Sequence, residues 1–551
     1  MRVHFIFPAL CLVHLGSALI GVNNLQYKLK LAALQGQEAS QAYSTGGSST
    51  SGLQNLGARQ SVPTAETVQL PLDHWGDAGN YTNRFWVQES YYKAGGPVFV
   101  FDAGEGNAEG YLGYLVSGNF FSGFLQEFNG MGLLWEHRYY GESAPYEIND
   151  STPSKDFQYL TYQQALADIP YFAANFSRSD FPDQDLTPKS TPWIFVGGSY
   201  PGLRAAYSRH FYPDTFYAAW ADSAPVEAQV NMSIYWEQVW RGMNANGWGN
   251  CTNDLQSAYS YIDAQLANPN TSAALKVQYL GQGADNNTNG DFTAALSEVL
   301  GTWQSYGVEG GNISIRAFCD YLETDPSTGE TAPAQGWGAS KGGKYVSDRW
   351  STWPAMVDIA NGAAPTNCKG QDASQPLACD LGAPDSDGDS ISWTWQYCTQ
   401  FGYLQYNNYG PHHLLSSYQD EQYQQDICYR TFPDGLSSGY LPSTPNAIQT
   451  DQDTTGWNLR PSNTYEQWSA GQYDPWRTLS ALSTESFAPQ GVAITQAIPA
   501  ANISTSEDDI FGFILPNSEH CFDFYSDTLA RQSQGYFTAA LKEWLPVFSK
   551  R

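Results

Sequence analysis

The ten residues Trp193-Ile-Phe-Val-Gly-Gly-Ser-Tyr-Pro-Gly202 constrain the fold more than any other part of the chain. Trp193 to Val196 is a short apolar run of the kind that forms a buried strand. Two glycines and Ser199 follow, and Leu203 to Tyr212 then reads as a helix. Strand, tight glycine turn, serine and helix is the layout of a nucleophile elbow. Glycines are needed because the backbone there is crowded and strained. The turn lifts the serine above the sheet with a helix N-terminus beneath it, and the Tyr200 N–H is placed to hold an oxyanion. A strict G-x-S-x-G pattern would have glycine at 201; this chain has Pro201 there and Gly202 after it. An ordinary Gly-Ser turn ahead of a helix has the same local pattern, so the partners of Ser199 have to decide.

The surrounding pattern is that of a mainly parallel sheet. Gly96 to Asp102 reads as a strand entering the turn Ala103-Gly-Glu-Gly-Asn107. Gly132 to Trp135 is a second strand, ending in Glu136-His-Arg-Tyr-Tyr-Gly-Glu-Ser143. Tyr162 to Phe176 has helical periodicity, and Tyr217 to Ala221 is the strand after the elbow helix. Strands alternating with helices place helices on both faces of a parallel sheet. After about residue 226 the texture changes to amphipathic helices (Ile234–Met243, Leu255–Leu266, Phe292–Tyr306, Ile315–Leu322) with polar loops between them. Asp385-Ser-Asp-Gly-Asp-Ser390 lacks the distal glutamate of a calcium loop and reads as an acidic turn. The sheet resumes at Asp509–Leu515, which leads to Pro516-Asn-Ser-Glu-His520 and a helix from about Ser526 to Trp544.

An α/β-hydrolase orders its catalytic residues as serine, acid, histidine. His210 lies on the elbow helix, too early in that order. His412 and His413 are adjacent, so their rings diverge, and they read as structural. His520 follows a sheet strand and precedes a helix, where a general base belongs. Asp474, in the stretch Tyr465 to Trp476, is the preferred acid; Asp451 and Asp453 are rivals in a polar loop with no strand before it. Two βαβ steps between serine and acid take about 60–80 residues. The interval here exceeds that by on the order of 200 residues, the size of a domain. The reading is therefore an α/β-hydrolase sheet with an inserted, disulfide-stapled helical cap. Its boundaries are 63–226 and 448–551 for the sheet and 227–447 for the cap.

Composition fits an exported chain. Arg2 followed by an apolar stretch to about Ile20, with small residues at Gly16-Ser17-Ala18, reads as a signal peptide (1–18). Residues 19–62 read as a flexible leader or pro-segment. Nine N-x-[ST] sequons, at Asn80, Asn149, Asn175, Asn231, Asn250, Asn270, Asn286, Asn312 and Asn502, make glycosylation an expectation. Outside the signal segment, six of seven cysteines fall between Cys251 and Cys428, a local disulfide framework whose 15 connectivities the sequence leaves open. Cys521 is the odd thiol and reads as buried and inert. A formal net charge of -29 argues against nucleic acid, whose phosphates would be repelled. No run after the signal reaches membrane-spanning length. No cysteine or histidine spacing resembles a zinc site, and the reading calls for no metal and no cofactor.

These residues resemble a family, the serine peptidases that include lysosomal Pro-X carboxypeptidase, dipeptidyl-peptidase II and fungal acid prolyl endopeptidases. The matching pieces are Leu72-Asp-His74, Asn83-Arg-Phe-Trp86, Gly104-Glu-Gly106, Glu136 to Ser143, Gly197-Gly-Ser-Tyr200, Ser223-Ala-Pro-Val226, Asp474-Pro-Trp476 and His520, collinear from about 68 to 545. The resemblance implies a capped α/β-hydrolase that cleaves peptides after proline, often at acid pH. It implies Ser199 as nucleophile, Asp474 as orienting acid and His520 as base. Tyr200 N–H with an N–H of the Gly104 to Gly106 turn, taken as Gly106, would form the oxyanion hole. Trp476 would line a pocket for the proline ring. Glu136 and Arg138 are candidate substrate contacts, with an internal salt bridge equally open to them. Two departures are Pro201 after Ser-Tyr and Cys521-Phe-Asp523 after His520, where animal members have His-Leu-Asp-Leu.

The function expected is thus a secreted serine peptidase acting on peptides through a Ser-Asp-His triad, with a lysosomal or vacuolar site as the alternative. A lipase or carboxylesterase on the same fold, and a catalytically silent binding protein, are the competing classes. The sequence leaves open end-specific or internal cleavage, the pH optimum and whether the chain forms a homodimer.

Overall fold

The computed structural model describes residues 62–311, 313–459, 465–503 and 509–549. The signal segment, the leader except its last residue, and the Asn312 sequon lie outside the described residues. Eleven strands are described: β1 (Glu66–Pro71), β2 (Asn80–Gln88), β3 (Val98–Asp102), β4 (Met131–Trp135), β5 (Trp193–Gly198), β6 (Phe216–Asp222), β7 (Gln229–Asn231), β8 (Gly402–Leu404), β9 (Glu466–Gly471), β10 (Ala493–Thr495) and β11 (Asp509–Leu515). Nine of them form one sheet in the order β1-β2-β4-β3-β5-β6-β9-β11-β10. Every pairing from β4 to β10 is parallel, and β2 runs antiparallel to both β1 and β4. This is the α/β-hydrolase sheet expected from the sequence. β7 and β8 make a separate short parallel pair.

The central strands are apolar on both sides because both faces are covered. On β5, Trp193 and Phe195 join one buried cluster, and Ile194 and Val196 join the other. Alternate side chains of a strand point to opposite faces, so one six-residue run serves two cores. The helices Tyr162–Ala173 and Tyr200–Phe211 supply Leu166, Ile169, Leu203 and Ala206 to the first face. The helices Phe120–Glu127 and Thr528–Trp544 supply Phe121, Phe124, Phe537 and Leu541 to the second.

Between β6 and β9 the regular structure is helical apart from β7 and β8. It includes helices Ile234–Ala245, Gly249–Leu266, Asn289–Tyr306, Ile315–Glu323, Gly388–Gln396 and Glu421–Thr431. Their apolar side chains continue the cluster on the first sheet face without a break. Three disulfides lie in this stretch: Cys251–Cys319, Cys368–Cys379 and Cys398–Cys428. Cys521 forms no disulfide and is buried. Asp387 of the acidic turn caps the helix Gly388–Gln396, its side chain accepting from Ser390 N–H. Among the described residues no cluster of His, Cys, Asp and Glu has the arrangement of a metal site.

Candidate active site

Ser199 links β5 to the helix Tyr200–Phe211 and has φ 66°. That conformation is rare for a residue with a side chain and is kept only where its surroundings hold it. The hold is visible. Ser199 N–H donates to the Asp222 carbonyl at the end of β6, and its own carbonyl accepts from Leu203 N–H, both at 2.9 Å. Gly202 packs so close to β6 that a Cβ on it would lie 2.2 Å from the Asp222 carbonyl oxygen. Glycine is therefore required at 202. The turn is completed from the other side by Gly104, at φ +62°, where a Cβ would lie 2.3 Å from Pro201 Cγ. The proline that departs from the G-x-S-x-G pattern is seated on a glycine of the neighbouring turn. An Arg204–Asp102 ion pair of 2.7 Å ties the elbow helix to the end of β3, and Asp102 Oδ1 accepts from Gly104 N–H at 2.9 Å.

The structure brings Ser199, His520 and Asp474 together. Ser199 Oγ and His520 Nε2 are 2.8 Å apart, and His520 Nδ1 is 2.8 Å from Asp474 Oδ1. The carboxylate accepts from Nδ1–H, which leaves Nε2 to accept the serine proton. All three are buried, with Ser199 at 5% exposure and His520 at 2%. Each comes from the carboxyl end of a sheet strand: Ser199 from β5, Asp474 from the turn after β9 and His520 from the turn after β11. Asp474 also caps the short helix Pro475–Leu479, accepting from Trp476 N–H at 2.9 Å, which fixes its rotamer. The rivals are engaged elsewhere. Asp451 accepts from Ala228 N–H, and Asp453 from Gln449 and the Tyr162 hydroxyl. Both lie on a helix, Ala447–Thr454, where the sequence reading expected a loop.

Tyr200, the residue after the serine, is held by a relay that the sequence reading missed. His137 Nδ1–H donates to the Arg138 carbonyl at 2.6 Å, so Nε2 of the neutral ring accepts from the Tyr200 hydroxyl at 3.0 Å. Burial and then the Arg204 charge push His137 well below its ordinary value, which keeps it neutral. The same hydroxyl accepts from Gln396 Nε2–H at 2.7 Å, and Gln396 Oε1 accepts from the Tyr140 hydroxyl. The run from Glu136 to Ser143 thus grips the elbow through its second and fifth residues. Tyr200 N–H is in the first turn of its helix, where amides have no carbonyl partner within the helix. Gly106 is in the buried bend after β3.

Of the two readings left open for Glu136 and Arg138, internal ion pairs are formed, Glu136 with Arg84 and Arg138 with Asp168. Arg138 spends all five guanidinium N–H donors on Asp168, Leu72 O, Tyr159 O and Pro71 O. Glu136 accepts twice from Arg84 and once each from Ser143 Oγ–H and Ala108 N–H. Both are fully buried. A saturated, buried group has nothing left to offer a substrate. Trp476 is buried as well, beside the imidazole. Its ring centroid is 6.2 Å from that of His520, and it meets Tyr403 at 5.2 Å and Tyr235 at 5.9 Å, both edge-on. Gln304 Oε1 accepts from both Trp476 Nε1–H and the Tyr235 hydroxyl at 2.8 Å. Tyr235, Gln304 and Tyr403 come from the inserted helical stretch, where no local motif marks them. Asn80, Asn175, Asn231, Asn270, Asn286 and Asn502 are exposed, and Asn149 and Asn250 half-buried.

The family described as serine carboxypeptidase S28 matches residues 71–510. A probable extracellular serine carboxypeptidase of Arthroderma benhamiae is 29% identical over 397 residues, 67% of this chain and 54% of that protein. The chain thus spans about half the length of that relative. The thymus-specific serine protease of Mus musculus is 26% identical over 512 residues, 89% of each chain. The lysosomal Pro-X carboxypeptidase of Homo sapiens is 29% identical over 201 residues, 35% of this chain and 39% of that one. No helix among the described residues is long and apolar enough to cross a membrane. With the S28 match running from β1 to β11, the chain belongs to the serine carboxypeptidase S28 family of serine peptidases.

Proposed function

We propose that the chain is a secreted peptidase that hydrolyses peptide bonds after proline, with Ser199 as nucleophile, His520 as general base and acid, and Asp474 as the group that orients the imidazole. The observation that carries the reading is the unbroken chain of two 2.8 Å contacts from Ser199 Oγ through His520 to Asp474, with the serine at φ 66° on an elbow. In acylation, Oγ attacks the scissile carbonyl carbon while its proton passes to His520 Nε2. The carbonyl oxygen becomes an oxyanion, held by Tyr200 N–H and Gly106 N–H. Collapse breaks the C–N bond, and the imidazolium gives its proton to the leaving amine. Water then attacks the acyl-enzyme by the same path, with His520 taking its proton and returning one to Oγ. Asp474 orients the imidazole and stabilises the imidazolium.

The preference for proline rests on Trp476. Trp476 is buried beside the base and packs edge-on against Tyr235 and Tyr403, and we take this aromatic cluster as the apolar wall that a proline ring would meet. We place the cap at 227–447, and a roof there favours chain ends and short peptides over folded protein. The sequons and the signal segment support export. The test is a proline-containing peptide library, digested in acid and at neutral pH with the wild type and Ser199→Ala. The wild type is expected to cleave after proline and the variant not to cleave. Equal activity in both overturns the triad, and cleavage without regard to proline overturns the pocket.

A further inference from the structure

Behind the Ser199–His520 contact lies a cluster of buried groups that the hydrolysis does not use. Asp222 ends β6 and is fully buried. Its backbone carbonyl holds Ser199 N–H at 2.9 Å. Its side-chain Oδ1 accepts from the hydroxyls of Ser223 at 3.1 Å and Ser469 at 3.2 Å. The same carboxyl is a hydrogen-bond neighbour of the Asp523 carboxyl and the Cys521 thiol. Both of these residues are on the turn that carries His520. Asp523 is 1% exposed, and its Oδ2 accepts from Ser533 Oγ–H on the C-terminal helix at 3.0 Å. The remaining oxygens, Asp222 Oδ2 and Asp523 Oδ1, receive no N–H or O–H from the described residues.

Two ionised carboxylates cannot face each other in such a place. The groups that act most strongly on the pair are Asp523 and Cys521 on Asp222, and Asp222, Ser469 and Ser533 on Asp523; none is a cation. A buried charge without a counter-ion keeps its proton instead. One proton shared by the two carboxyls turns a repulsive contact into a hydrogen bond. A second tether runs parallel to it: Cys521 N–H donates to Ser223 Oγ at 2.9 Å, and Ser223 Oγ–H donates to Asp222. Cys521 has φ 54°, a conformation that a residue with a side chain keeps only under restraint. Asp222 therefore touches both halves of the chemistry, the nucleophile through its backbone and the turn of the base through its side chain.

Resting on the triad assignment above, we propose that Asp222 and Asp523 share one proton and that this carboxyl pair positions His520 against Ser199. Both are positioning residues; neither touches the reacting atoms. Burial first, and mutual repulsion second, raise the Asp222 carboxyl; burial also raises Asp523. The sign follows. The proton is held at low pH, and the clamp is intact there. As the pH rises through the raised value the proton leaves, two charges oppose each other and the turn loosens. The clamp thus imposes an alkaline limb on kcat.

The test uses the full chain and reads kcat, KM and the rate of Ser199 labelling by a fluorophosphonate against pH. Asp523→Ala is expected to lower kcat about tenfold with KM changed less than about twofold, since the pocket is intact and only the base is misplaced. Asp523→Asn restores a hydrogen bond that needs no titrating proton, because its amide N–H donates to an ionised Asp222. It is expected to recover most of the kcat lost in the alanine variant and to move the alkaline limb up by about one pH unit or more. An alkaline limb in Asp523→Asn that coincides with the wild type overturns the proposal. So does an Asp523→Ala variant that melts earlier but keeps the wild-type kcat and pH profile. Where Asp523→Ala does not fold, the profiles of Asp523→Asn and Asp222→Asn decide. Ser199→Ala separates the two readings: hydrolysis in that variant sinks the triad, whereas an inactive Ser199→Ala beside an unmoved Asp523→Asn profile sinks the carboxyl pair alone.

Discussion

Ser199 and Gly104 share an unusual backbone sign, and a proline ring lies between their turns. From the sequence, Pro201 looked like a defect in the elbow. In the structure it is one half of a contact whose other half, Gly104, belongs to the turn proposed to hold the oxyanion. Gly104→Ala is expected to cost about 1–3 kcal/mol through its positive φ and its collision with Pro201. In a Pro201→Ala background the collision part of that cost is expected to vanish, which a double-mutant cycle on thermal unfolding measures. Ser199→Ala is expected to lower kcat by at least about 10³-fold while leaving the unfolding midpoint within about 2 °C, since only one hydroxyl is lost. At this scale Ser199, Asp474 and His520 were legible because each follows a strand and their chain order is fixed by the fold. The His137–Tyr200–Gln396 relay was not. Gln396 is 196 residues from Tyr200, and nothing local announces a partner so distant.

Among the elements, sequence periodicity found β3, β4, β5, β6 and β11 by their continuous apolar runs, and missed β9 between β6 and β11, whose run Glu466–Gly471 is half polar. β1 and β2 escaped it because they form the sheet's polar margin. β2 buries Asn83, Arg84 and Gln88, whose side chains are satisfied internally, so its pattern reads as a loop. The long helices of the insertion were legible by their apolar stripes; Gly388–Gln396 and Glu421–Thr431, richer in Asp, Gln and Ser, were not. Disulfide pairing was beyond the sequence, and its choice matters for the site. Cys398–Cys428 anchors the turn directly after Gln396, which holds the Tyr200 hydroxyl, whereas Cys368–Cys379 closes a short loop. Replacing Cys398 and Cys428 by alanine is expected to cost about 2–4 kcal/mol of stability. It is also expected to lower kcat more than the same change at Cys368 and Cys379, as paired melts and kinetics of the two variants would show.

For the whole molecule, buried carboxyls set the response to pH. Burial and then the Glu227 charge push Asp451 up to about 8; burial and Asp254 push Glu323 up to about 9; burial and Asp387 push Asp389 up to about 7. A group raised in this way holds a proton that the unfolded chain releases above about pH 4. Its contribution to stability is complete below that pH and is lost as the pH rises towards the folded value. Asp168 works in the other direction. Burial would raise it, but Arg138 and His74 outweigh burial and hold it at about 2, so its contribution is lost as the pH falls from about 4 towards 2. The two together place the unfolding midpoint highest at roughly pH 3–5, with a steady fall towards pH 8. Scanning calorimetry across that range checks it. Glu323→Gln, whose amide can donate to Asp254 without a proton to lose, is expected to raise the midpoint at pH 8 and leave it unchanged at pH 4.

The order of the strands in the sheet has one more consequence, in time rather than space. His520 follows Ser199 by 321 residues, and β9, which carries the acid, pairs with β6 across the whole helical insertion. At about 5–20 residues per second of synthesis, Ser199 is made roughly 15–60 s before His520. On the proposed triad, the chain therefore has no complete catalytic set until its last strand and the turn after it have been made.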